Sequence, residues 1–145
     1  MSEAKVIKTG YQENLENGWY NDAADEEIVM GWLADEIKKG AYNGHASVIV
    51  DDEWFSDLLH HFLRHAQPDL RRLENRSAFY SGGGLEQERA CLDAMCKNRA
   101  LSGLEHLAGV FYETPPEEVR ARLSRHRHLH GLTVVVAGVP VQIGG

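Results

Sequence analysis

The chain has 145 residues, 43% of them hydrophobic, and a formal net charge of −7. This length and composition predict one α+β domain over residues 1–145 and exclude wholesale disorder, and no apolar run approaches the ~20 residues of a membrane helix. Charge is uneven: residues 1–57 hold thirteen of the 22 acids and four of the 15 bases, a balance of −9, whereas residues 58–145 balance at +2 and hold seven of the eight histidines.

In chain order, "KVIKTG" (Lys5 to Gly10) reads as a short first strand. The N-terminus has no apolar leader-like run, which points to a cytoplasmic location. A turn follows at Asn17-Gly18. A helix is predicted from Asn21 or Asp22 to Lys39, with Val29, Leu33 and Ile37 every fourth residue and Ile28 and Trp32 beside them. Asp25, Glu26 and Glu27 suit its first turn, Lys38 and Lys39 its last, and Gly40 stops it. Asn43-Gly44 is a turn, and Ala46 to Val50 a strand. "EWFSDLLHHFLRHA" predicts a core helix ended by Pro68, and "PDLRRLE" a further helical turn.

"SAFYSGGG" reads as an extended piece ending in a glycine loop. Leu85 to Leu101 predicts a helix burying Leu92, Met95 and Cys96, with Glu86 and Glu88 in its first turn. "HLAGVFYE" fits strand or helix. In "TPPEE", Thr114 is the predicted cap, Pro115 the first helical residue and Glu117 the partner of a capping box. That helix is expected to run to about Gly131. "LTVVVAGVPVQIGG" closes with a strand and a hairpin around Gly138, Pro140 restricting the last segment to an edge. No internal repeat is evident. The expected fold is α+β, about four helices on a small mixed or antiparallel sheet.

The most chemical stretch is "RHRHLHG". As a strand it would place His126, His128 and His130 on one face, as a metal site requires. The helix begun at Thr114 favours a cationic helix end instead, where Arg125, Arg127 and the histidines meet the negative pole of the dipole. These five residues are also the candidates for a phosphate or nucleic-acid contact. In "DLLHHFLRH", Asp57, His61 and His65 share a helical face, but the glutamate that zinc hydrolases place after the first histidine is missing. His45-Ala46-Ser47 matches once the His-x-Ser pattern of two-histidine phosphoesterases; "HGLT" carries one residue too many for the second copy. Cys91 and Cys96 lie mid-helix, roughly 140° apart about the axis, too divergent to pair and away from a helix start. No catalytic residue, metal or cofactor is therefore assigned.

The remaining lead is charge. Glu13, Glu16, Asp22, Asp25, Glu26 and Glu27 cluster around the aromatic anchors Trp19 and Tyr20. This combination predicts a partner-binding surface for another protein with a basic face, in the manner of small inhibitors, immunity proteins, antitoxins or anti-defence proteins. The alternative is a histidine-dependent hydrolase or a phosphate- or nucleic-acid-handling protein acting through the basic C-terminal part. No membrane partner is expected.

Overall fold

The computed structural model describes residues 5–7, 23–40, 42–51, 53–66, 68–76 and 84–144. They form β1 (Lys5–Ile7), α1 (Ala23–Lys38), β2 (Ser47–Val50), α2 (Glu53–Ser56), α3 (Leu59–His65), β3 (Arg72–Asn75), α4 (Leu85–Lys97), a 3-10 helix (Arg99–Gly103), β4 (His106–Phe111), α5 (Pro116–Ser124), a second 3-10 turn (Arg127–Leu129), β5 (Thr133–Val136) and β6 (Val139–Gln142). The fold is α+β, helices against one mixed six-stranded sheet in the order β1-β2-β3-β4-β5-β6. The first five strands are parallel, and β6 returns antiparallel to β5.

The sequential order has a geometric consequence. Right-handed crossovers between successive neighbours place every connecting helix on the same face of the sheet. The helices accordingly form a row, α1 against α3, α3 against α4 and α4 against α5. The strands alternate to match. Val48, Leu73, Leu107, Val134 and Val141 stand in register across the sheet, and all are buried. Their neighbours on the opposite face, Ile49, Glu74, Ala108 and Val135, are half-buried. One hydrophobic core runs from Leu33 on α1 to Ile143 beyond β6.

Polar groups pin the seams. Asn75, buried at the end of β3, accepts from the Ser56 hydroxyl at 2.9 Å and donates through Nδ2 to the Gly109 carbonyl at 3.1 Å. There β4 bulges: Ala108 pairs with Val135, but the next pair is Phe111 with Val136. Gly109 has φ +79°, and a Cβ at this position would lie 2.2 Å from the Asn75 carbonyl oxygen, so only glycine fits. Asn98 ties α4 to α3, donating to the Leu63 and Ala66 carbonyls while its Oδ1 accepts from the Ala100 N–H.

Several expectations stand. The helix expected from Asn21 or Asp22 is α1, and Gly40 (φ +79°) ends it. The closing hairpin turns at Ala137 and Gly138, both with positive φ, and Pro140 lies on edge strand β6. "HLAGVFYE" resolves as strand β4.

Others are corrected. "EWFSDLLHHFLRHA" is two helices, not one: Leu58 (φ −107°, ψ 13°) closes a turn onto Phe55, and this change of direction lets Phe55, Leu58, Leu59 and Phe62 all reach the core. "PDLRRLE" is not helical. Arg72–Asn75 is a strand because β2 and β4 claim its backbone on either side and Leu73 is needed in the buried row. The helix from Leu85 stops at Lys97, where Asn98 turns the chain. Thr114 is not a helix cap. Pro115 holds that position, and the Thr114 hydroxyl donates instead to buried Glu88 at 2.8 Å. The helix it was to begin ends at Ser124, well short of Gly131. Residues 77–83 and Asn17-Gly18 lie outside the described residues.

Candidate functional site

Of the two segments singled out by charge, the described part of the acidic one is α1, at one end of the helix row, and the basic one follows α5, at the other. On α1, Leu33 and Ile37 are buried against the core. At a rotation of about 100° per residue, Ile28, Gly31, Trp32 and Asp35 share the outer face. Ile28 is 69% and Trp32 56% exposed, and Glu27 and Asp35 beside them are exposed as well. Asp25 and Glu26 lie in the first turn of this helix, where the side chains are not described. Glu13, Glu16, Trp19, Tyr20 and Asp22 lie outside the described residues. The apolar anchors that the structure does display are therefore Ile28 and Trp32. Their periodicity beside a core stripe makes them resemble core residues; the signal that could have set them apart is that Leu33 and Ile37 already complete the inward face.

"RHRHLHG" is not a strand, and only its first residue stands at a helix end. Arg125 closes α5 (φ −69°, ψ −13°), His126 is extended (φ −115°, ψ 113°), and Arg127–Leu129 coil into the second 3-10 turn. Leu129 dictates this arrangement by entering the core with no exposed area. The turn packs against the first 3-10 helix, Arg99–Gly103. Between them lies a cavity of about 330 Å³ lined by Arg99, Arg125, His126, Arg127 and His128. Arg99 follows the capping residue Asn98, a stop signal that the expected helix to Leu101 concealed.

The histidines divide. His128 donates through Nε2 to the Met95 carbonyl at 2.9 Å, which fixes its tautomer and leaves Nδ1 free of that bond. The ring of His126 meets it edge-on, centroids 5.9 Å apart. His130 leaves the group: its Nε2 donates to the Ser124 carbonyl at 2.8 Å, and its ring packs so closely over Gly144 that a Cβ there would lie 2.6 Å away.

Elsewhere, His60 and Arg64 line a smaller space of about 200 Å³ with Ala90, Asp93, Ala94 and Lys97. Burial, and then the charge of Arg64, hold His60 below the usual histidine pKa; its Nδ1 is buried without a hydrogen-bond partner. Burial lowers His61 too, followed by the charges of His60 and Lys38. Among the described residues, no three histidine, cysteine or carboxylate side chains gather as a metal site would need. Cys91 is buried and its thiol is pushed up to about 12 by desolvation and then by Glu88, the reverse of an activated nucleophile. No described helix is long and apolar enough to cross a membrane.

Comparison with protein families, with curated proteins and with solved structures gave no match.

Proposed function

We propose that the protein acts in the cytoplasm by stoichiometric binding of another protein, inhibitor-like, through the outer face of α1. The observation that carries this reading is the pair Ile28 and Trp32, 69% and 56% exposed one helical turn apart, with Glu27 and Asp35 exposed beside them. Exposing a tryptophan forfeits on the order of 2 kcal/mol of burial, which a partner recovers by covering it. Tryptophan is also among the residues most enriched at the energetic centres of interfaces. The partner is basic, because α1 belongs to the segment balanced at −9, and complementary charge steers encounter.

The test is a pull-down with wild type, Ile28→Ala/Trp32→Ala and Glu27→Lys/Asp35→Lys, followed by surface plasmon resonance on the captured protein. A basic partner bound one to one supports the reading. The apolar variant should speed dissociation at least tenfold. The charge variant should slow association, and the slowing should shrink in high salt. A partner that binds both variants as it binds wild type, or a self-associated species alone, overturns it.

A further inference from the structure

We propose that the cavity between the two 3-10 segments is a binding site for a small phosphorylated molecule carrying adjacent phosphates, such as a nucleoside diphosphate. Five side chains line it, three guanidiniums and two imidazoles, with no carboxylate among them. Among the described residues, Arg76, Arg89 and Arg122 are paired with Glu74, Glu118 and Asp93. Arg99, Arg125 and Arg127 form no ion pair with any described residue. Arg64, Arg71, Arg72 and Arg120 likewise form no ion pair with any described residue, so what sets Arg99, Arg125 and Arg127 apart is that the three gather around one hollow. Like charges so placed repel each other, and an anion between them relieves that repulsion, the more so the greater its charge.

The guanidinium fork matches phosphate oxygens with two parallel N–H donors, and two linked phosphates offer the three forks more terminal oxygens and more negative charge than one phosphate does. The two imidazoles add further nitrogen groups, His128 held in place by its bond to the Met95 carbonyl. A cavity of about 330 Å³ admits a small molecule and lies at the lower end of the range for ligand pockets. The scaffold is stiff on both sides: Asn98 anchors the first 3-10 segment to α3, and buried Leu101 and Leu129 anchor each segment to the core. The position is uncommon. Ligands of open parallel sheets sit beyond the carboxyl ends of the strands, whereas these segments precede β4 and β5 and lie at their amino ends. The site is also separate from α1, at the far end of the helix row, so it stands or falls independently of the interface proposed above.

Isothermal titration calorimetry of the full chain with inorganic pyrophosphate, at 150 mM salt, tests this. Saturable one-to-one binding is expected, with sulfate at least tenfold weaker at equal ionic strength. Arg99→Ala, Arg125→Ala and Arg127→Ala should each weaken binding tenfold to a hundredfold, the usual loss for a charge-assisted hydrogen bond. Arg120→Ala, an exposed arginine of α5 outside the cavity, should leave it unchanged, as should Trp32→Ala. Circular dichroism checks that each variant is folded, and Arg99→Lys, which keeps the charge and loses the fork, should fall between wild type and Arg99→Ala. Absence of saturable binding overturns the proposal. Equal affinity for sulfate, or equal losses in Arg120→Ala and Arg127→Ala, would reduce the cavity to diffuse positive charge and overturn it too. A single-stranded oligonucleotide that binds more tightly than ADP and gains affinity with length would assign the arginines to a nucleic-acid backbone instead.

Discussion

Glu88 is fully buried, yet its carboxylate is well satisfied. It accepts from the backbone N–H groups of Tyr112, Glu113 and Thr114, at 3.1, 3.1 and 2.9 Å to Oε1, and from the Thr114 hydroxyl at 2.8 Å. One side chain therefore organises the whole connection from β4 to α5, and burial costs little because donors replace water. Glu88→Ala should cost about 3 kcal/mol or more, since it leaves several buried donors without an acceptor. Thr114→Ala should cost about 1–2 kcal/mol, as the loss of one hydrogen bond to a charged group. The two roles imagined for Thr114 are distinguishable by urea denaturation of the double variant. A residue bonded to Glu88 gives a coupling of at least 0.5 kcal/mol in the cycle, whereas an independent helix cap gives additive losses. From sequence, Glu88 is one more acid in the first turn of α4. Nothing local marks it as the hub of a loop twenty-odd residues away.

Elements show the same tension between local signal and context. In β4, the Gly109 bulge lets Val110 and Phe111 both enter the core. Gly109→Ala should destabilise by more than about 2 kcal/mol, because it combines a strained positive φ with a clash against the Asn75 backbone. A change in urea midpoint smaller than that of an exposed glycine substitution such as Gly31→Ala would contradict the geometry. In α3, His60 and His61 have pKa values below 6.5 in the folded state. The folded chain then binds fewer protons than the unfolded one, so the contribution to stability is present above 6.5 and is lost as pH falls through 6.5 toward the lower folded value. The urea midpoint should drop between pH 7.5 and 5.5, and His60→Gln should flatten the drop. This window lies above the range in which the paired carboxylates Glu74 and Glu118, both held below 4.5, begin to protonate.

At the scale of the whole molecule, a single core links the first helix to the last strand. Unfolding should therefore be one cooperative transition, with far-UV circular dichroism and tryptophan fluorescence giving coincident curves in urea. Two separated transitions would mean that the α1 end and the hairpin end are independent units. The elements legible in the sequence are those whose cause is local: α1 between its acidic first turn and Gly40, the strand leading into Val50, and the two-residue hairpin at Ala137-Gly138 with Pro140 at an edge. The sequence also concentrated attention on Arg125 to His128, four of the five residues around the cavity. Tertiary structure alone decided the rest. The parallel order of β1 to β5 depends on pairing segments some thirty residues apart, which no local pattern encodes. Arg72–Asn75 became a strand because two neighbours offered it a ladder, overriding its local preference. Arg99 joined the cavity, His130 left it, and Ile28 and Trp32 came to face solvent. Each of these depends on what stands opposite a residue once the chain has closed, and residue spacing sets only the direction from an element's axis.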